Sequence, residues 1–99
     1  MRVVFTSAAE RSLEAIADYI AADNPARAIS FVEELRTKSL GLAAHPKAFP
    51  LVPRYEKLGI RRRGHGRYLI FYRVETDRIL ILYVAHGARE YDRLLLPDD

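Results

Sequence analysis

Residues 60–86 read IRRRGHGRYLIFYRVETDRILILYVAH, and this stretch decides the fold. It contains three runs rich in branched and aromatic residues, which are Ile60 to Arg63, Tyr68 to Val74 and Ile79 to His86. Two short turn-like segments, Gly64-His65-Gly66 and Glu75-Thr76-Asp77, separate the runs, which is the pattern of successive β-hairpins. The sequence therefore predicts a three-stranded antiparallel meander.

Two helices are predicted ahead of the meander. Ser7-Ala8-Ala9-Glu10 has the S-x-x-E form of a capping box, which satisfies free backbone N–H groups where a helix begins. Apolar residues then recur at helical spacing, at Leu13, Ile16, Ala17 and Ile20. The first helix is thus expected to have one apolar face.

The second helix is predicted to begin at Pro25, because proline has the fixed φ preferred at the first helical position and Asn24 can cap it. It is expected to run to about Ala44, where His45-Pro46 breaks the pattern. The turn between the helices is so short that they must form an antiparallel hairpin.

The remaining segments complete an α+β prediction with a single domain over residues 1–99. Arg2 to Phe5 is read as a first strand that joins the sheet at an edge. Pro46 to Gly59 is too apolar for a free linker and is expected to pack over a core edge. The last two strands are apolar on both faces, so both sides of the sheet need cover. The helical hairpin is expected to cover one side. The other side is left for the tail, Tyr91 to Leu96, or for a partner.

The charge is concentrated in one short segment. The chain has 99 residues and a formal net charge of +3, yet residues 54–67 alone hold six basic residues against Glu56, a local charge of +5. This basic segment suits an anionic partner, either nucleic acid or an acidic protein segment. On a short strand Arg61 and Arg63 should face one way, and Ile60 and Arg62 the other. The alternative for the three arginines is an edge strand protected by charge against aggregation.

Composition excludes several kinds of protein. Cysteine is absent, which rules out disulfides and thiolate catalysis and fits the reducing cytoplasm. The three histidines have no metal-ligand spacing, so no metal site is expected. No phosphate-binding glycine loop, G-x-S-x-G or dinucleotide motif occurs, and no cofactor is expected. The longest apolar run is far shorter than the roughly 20 residues that span a membrane.

The order of elements, together with Gly66-Arg67-Tyr68-Leu69-Ile70-Phe71-Tyr72-Arg73-Val74 and His86-Gly87-Ala88-Arg89-Glu90-Tyr91, resembles the ParE/RelE toxin superfamily. The second phrase looks like the H-G-x-R-[DE] ending of the family's last strand, and the paired helices look like the ParE branch. The resemblance implies one of two activities. ParE-like members inhibit DNA gyrase and bind a ParD-like antitoxin, whereas RelE-like members are ribosome-dependent endoribonucleases.

The nuclease pattern fits this chain poorly. The resemblance places an arginine directly after the tyrosine that opens the middle strand, but Leu69 follows Tyr68 here. It also places a tyrosine six residues beyond the last-strand arginine, where this chain has Leu95. Arg89 matches, although the ParE branch shares that match. If the chain were a nuclease, the expected catalytic set would be Arg61, Arg63, Arg89 and either His86 or Tyr91.

The resemblance therefore favours an interaction protein, a gyrase-binding toxin neutralised by a ParD-like antitoxin, with no sequence-specific DNA binding of its own. Five arginines are expected to bind the target or another anion: Arg61, Arg62, Arg63, Arg67 and Arg89. Four aromatic residues are expected to bind the antitoxin: Tyr68, Tyr72, Tyr83 and Phe31. The alternatives left open are the endoribonuclease and a domain that has lost toxicity and only binds an antitoxin.

Overall fold

A computed structural model describes residues 1–87 of the chain. Four strands and two helices form the domain: β1 Arg2–Phe5, α1 Ser7–Ala21, α2 Pro25–Leu40, β2 Ile60–His65, β3 Tyr68–Val74 and β4 Arg78–His86. Two short 3₁₀ helices, Gly41–Ala43 and Glu56–Leu58, lie between α2 and β2. The α+β prediction is confirmed.

The sheet has the order β1-β4-β3-β2. β2, β3 and β4 form the predicted antiparallel meander, and β1 joins it at an edge by pairing parallel to β4. β2 continues two residues further than expected, because Gly64 and His65 pair with Leu69 and Tyr68 rather than forming the turn. The register of β3 and β4 shifts between Phe71 and Tyr72, which is a β-bulge in this pair.

The cap of α1 is Thr6, and the predicted capping box at Ser7 is wrong by one residue. The Thr6 hydroxyl accepts a hydrogen bond of 3.1 Å from the backbone N–H of Ala9, and Ser7 is already the first helical residue. The same hydroxyl lies 2.9 Å from the Ile81 carbonyl, to which it donates. Thr6 therefore caps the helix and ties it to β4, a long-range contact that the local motif does not contain.

The helical hairpin forms as predicted. Asn24 caps α2 by accepting from the backbone N–H of Arg27, and Pro25 is its first residue. The α-helix ends at Leu40, and the 3₁₀ turn that follows carries the chain close to the expected end at Ala44. A salt bridge of 2.6 Å between Arg36 and Glu10 joins the end of α2 to the start of α1.

The sheet separates two clusters of buried side chains. The main core lies under the helices and includes Leu13, Leu35, Ile70 and Ile79. A second cluster lies on the opposite face and consists of Val52, Tyr55, Ile60, Phe71 and Ala85. Val52 and Tyr55 belong to the connector, so part of the face that was left for the tail or a partner is covered by residues 46–59 instead.

Within residues 1–87, no helix is long and apolar enough to cross a membrane.

Candidate interaction surfaces

A groove of about 400 Å³ lies between α1 and the end of β4. Its lining residues come from the middle of α1, the start of β3 and the end of β4: Ser12, Ala15, Ile16, Tyr19, Tyr68, Tyr83, Val84, Ala85 and His86. Tyr19 is 78% exposed, which is unusual for a large aromatic side chain on a folded domain. This α1–β4 groove is a large open surface in the described part of the chain.

An aromatic row crosses the sheet beside the groove. His65, Tyr68 and His86 are paired across β2, β3 and β4. The Tyr68 ring lies 5.0 Å from the His86 ring in an edge-to-face arrangement, and Phe31 of α2 lies 5.2 Å from Tyr68. Burial raises the pKa of the Tyr68 phenol, and the nearby Tyr19 adds to the effect. Tyr68 thus stays neutral at physiological pH.

His65, at one end of the row, contacts the carboxylate of Glu34. The Nε2 atom of His65 lies 2.8 Å from a carboxylate oxygen of Glu34, which also accepts from Arg27. Hydrogen bonds from Arg27 and then from His65 hold the pKa of Glu34 below its ordinary value. His86, at the other end, is exposed. The two histidines therefore differ in surroundings although both flank Tyr68.

Two arginines of the basic segment are bound to the backbone. Arg61 donates a hydrogen bond of 2.7 Å to the Phe49 carbonyl, and Arg63 donates one of 3.1 Å to the Lys38 carbonyl at the end of α2. The Arg63 guanidinium also lies 4.7 Å from the centre of the Phe49 ring. Both side chains thus hold the connector and α2 against β2.

Two further arginines of this segment, Arg62 and Arg67, are available to a partner. Arg62 alternates with its neighbours in β2 and is placed on the face of Ile60, as the strand pattern predicted. Arg67 is exposed in the turn between β2 and β3. Neither side chain has a hydrogen bond or ion pair with any other residue among 1–87. They are the anion-binding candidates that the fold itself does not use.

The aromatic residues expected to contact an antitoxin lie on both sides of the sheet. Tyr72 is completely buried in the main core, where its hydroxyl donates a hydrogen bond of 2.8 Å to the Pro46 carbonyl. Burial raises the pKa of this phenol, although Arg61 and Arg63 act in the opposite direction. Tyr68 and Phe31 retain only 9% and 8% exposure. Tyr83 is half-buried and lines the groove from the other face of the sheet.

The residues named for the nuclease alternative are not brought together by the described part of the fold. Arg61 and Arg63 lie on β2, two strands away from His86 at the end of β4. Each of the two guanidinium groups donates a hydrogen bond to a backbone carbonyl. Arg89 and Tyr91, and the tail proposed as sheet cover, lie outside the described residues. No cluster of three metal-binding side chains occurs within residues 1–87.

Three groove residues were missed by the sequence reading: Ser12, Ala15 and Tyr19. Tyr19 lies off the apolar face of α1, and an exposed aromatic residue away from that face was the available signal. Ser12 and Ala15 gave none, because small residues are common on helices. Their importance depends on the position of α1 over β4, which the sequence pattern does not contain.

The comparisons with known proteins agree with the fold. A family model described as the ParE toxin of the type II toxin–antitoxin system parDE matches residues 3–91. No curated protein matches the chain significantly in sequence. A chain of the chromosomal ParDE toxin–antitoxin system from P. aeruginosa is similar in structure, with a TM-score of 0.73 and 23% identity. The match covers 89% of this chain and 97% of that chain.

A chain of the toxin–antitoxin complex RelBE2 from Mycobacterium tuberculosis is also similar, with a TM-score of 0.64, 24% identity and coverage of 86% and 95% of the two chains. At such identities these structures show the shared fold alone, two helices packed on a four-stranded sheet. The family match is more specific. The chain belongs to the ParE toxin family of type II toxin–antitoxin systems.

Proposed function

We propose that this toxin arrests growth by binding and inhibiting DNA gyrase, and that a ParD-like antitoxin neutralises it. The single observation that carries the proposal is the family match over residues 3–91, which is to the ParE rather than the RelE family. The activity would need no catalytic residue, because an inhibitor acts by occupying its target.

The arrangement of the basic segment supports an inhibitor over a nuclease. A nuclease must direct positive charge at the scissile phosphate, where charge develops in the transition state. In this toxin the guanidinium groups of Arg61 and Arg63 each use a donor to bind the carbonyl oxygens of Phe49 and Lys38. The position after Tyr68, where the nuclease resemblance requires an arginine, is Leu69.

Target binding is assigned to Arg62 and Arg67. Both are free of partners within residues 1–87, and they lie on β2 and in the turn that follows it. Surface charges that are complementary to a partner raise the rate of encounter and suppress wrong partners. We therefore expect these two side chains to make the first contacts with an acidic surface of the target.

Antitoxin binding is assigned to the aromatic surface around the α1–β4 groove, where Tyr83 and the edge of Tyr68 are accessible. An antitoxin tail that becomes ordered on binding would bury this apolar surface. The burial would offset the conformational entropy that the tail loses. Tyr72 has no exposed surface and is not available to the antitoxin.

A pulse of toxin expression in growing cells tests the function and its alternative together. Plasmid linking number and the 5′ ends of cellular transcripts are measured on the same culture, with and without the co-expressed antitoxin. We expect plasmids to lose negative supercoiling while transcripts stay intact, and the antitoxin to reverse the effect. Codon-phased cleavage of transcripts with normal supercoiling would establish the endoribonuclease instead. Normal growth would indicate a domain without toxicity.

A further inference from the structure

The sheet edge formed by β4 is only partly covered. β1 pairs with β4 from Arg78 to Ile81, whereas β4 continues to His86. The next section of this edge is covered by α1. Thr6 bonds to the Ile81 carbonyl, and the backbone N–H of Val84 donates a hydrogen bond of 3.1 Å to the Ser12 hydroxyl. The covered edge therefore ends at Val84.

Beyond that point the backbone groups of β4 alternate between the β3 side and the open edge. The N–H of Gly87 donates to the Arg67 carbonyl on the β3 side, and alternate residues of an antiparallel strand direct their groups to opposite edges. The carbonyl of Val84 and both backbone groups of His86 consequently face the open edge. Among residues 1–87 no hydrogen bond reaches them, and the Ser12 hydroxyl cannot, because its proton is donated to the Ala9 carbonyl.

The α1–β4 groove lies along this open edge. Tyr68 and Val84 line it from the helix face of the sheet, and Tyr83 lines it from the other face. Ser12 and Ala15 form the opposite wall, and their small side chains leave the space beside β4 open. The groove therefore exposes the backbone N–H and carbonyl groups of a strand position, in line with β1 and directly beyond its end.

We propose that an extended segment of the antitoxin occupies this position and adds to the sheet beside Val84 and His86. This inference rests on the proposed function. The segment would place one side chain against Ile16 and Tyr19 and the next against Tyr83, because side chains of a strand alternate between faces. A helix is excluded from the same position, because its backbone groups are already paired and cannot bond the free edge.

The test uses the full chain, alone and in complex with the protein encoded by the neighbouring reading frame. Amide hydrogen exchange is followed at His86, with Val84 as the internal reference because its N–H is already bonded to Ser12. We expect the His86 amide to exchange freely in the toxin alone and at least about tenfold more slowly in the complex, as a new backbone hydrogen bond requires. Val84 should be protected in both.

A pair of variants provides a second readout. Ala15→Phe fills the groove from an exposed position of α1, and Ala26→Phe places the same side chain on an exposed position of α2. The Ala15→Phe variant should bind the antitoxin roughly tenfold or more weakly, because two or three backbone hydrogen bonds are lost. The Ala26→Phe variant should bind the antitoxin like the wild type.

Each other outcome overturns the proposal in a recognisable way. If the antitoxin binds tightly but His86 still exchanges freely and Ala15→Phe binds normally, the antitoxin uses another surface and the proposed function stands. Protection of His86 in the toxin alone would assign the edge to the toxin's own tail, and protection that rises with toxin concentration would assign it to a second copy. Failure of the wild-type toxin to bind would remove the proposed function as well.

Discussion

The guanidinium of Arg63 donates a hydrogen bond of 3.1 Å to the main-chain carbonyl of Lys38, which lies in the last turn of α2. Carbonyl groups at the end of a helix lack partners within the helix, and a cation is stabilising there. A residue of the basic segment thus completes the helix and fixes the position of β2 against it. The charge that suggested an external partner is partly internal to the fold.

Arg63→Ala should therefore destabilise the domain, whereas Arg62→Ala should not. Loss of the hydrogen bond to Lys38 and of the contact with Phe49 should cost about 1–2 kcal/mol of unfolding free energy. Arg62 has no partner among the described residues, so its change should stay within about 0.5 kcal/mol. Urea denaturation of both variants measures this, and equal loss in the two would refute the structural role of Arg63.

Removal of one buried hydroxyl should also lower stability. The hydroxyl of the buried Tyr72 donates to the partly buried Pro46 carbonyl, so Tyr72→Phe removes this hydrogen bond. The expected loss is about 1–2 kcal/mol. Tyr19→Phe is the matched control, since Tyr19 is 78% exposed. Thermal unfolding compares them, and a Tyr72→Phe melting temperature equal to that of the control would count against the buried bond.

The salt bridge between Glu10 and Arg36 should make stability depend on acid pH. A hydrogen bond from Arg36 holds the pKa of Glu10 below its ordinary value of 4.5. The pair thus contributes stability above that value, and the contribution is lost as pH falls through the lower pKa of the folded state. Both side chains are more than two-fifths exposed, so the contribution should be less than about 1 kcal/mol.

Glu10→Gln isolates this contribution. The variant should unfold at a lower urea concentration than the wild type at pH 7, and this difference should shrink as the pH falls below 4.5 and through the lowered pKa of Glu10. A difference that does not change with pH would show that the charge of Glu10 is not its cause.

The two free arginines should carry target binding. The double variant Arg62→Ala with Arg67→Ala should retain its fold and lose gyrase inhibition, because it removes only charge that the fold does not use. We expect about a tenfold higher toxin concentration for half inhibition, corresponding to a loss of about 1.4 kcal/mol in binding. Arg11→Ala, an exposed arginine on α1, is the control. If the wild type, the double variant and Arg11→Ala inhibit gyrase equally, the target contact lies elsewhere.

The sequence predicted the elements well because their signals are local. Asn24 and Pro25 mark the start of α2, and the meander follows from alternating apolar runs and short turns. The alternation of Arg61 and Arg63 against Arg62 was also predicted correctly from the period of a strand. These features depend on residues close together in the chain.

The site was less predictable because its contacts are long-range. Arg61 and Arg63 bond to backbone carbonyl groups 12 and 25 residues earlier in the chain. Nothing in the arginine run itself indicates these partners. Thr6 was overlooked as the helix cap for the same reason, since its hydroxyl also bonds to β4, 75 residues later. The open edge at His86 follows from where β1 ends, which only the register shows.

The central claim is that this toxin inhibits gyrase by binding it. Its most direct test is conversion of relaxed plasmid to the supercoiled form by purified gyrase and ATP, as the concentration of purified toxin is raised. We predict a dose-dependent loss of supercoiling that is restored when the antitoxin is added first. Full supercoiling at a saturating concentration of folded toxin would contradict the claim.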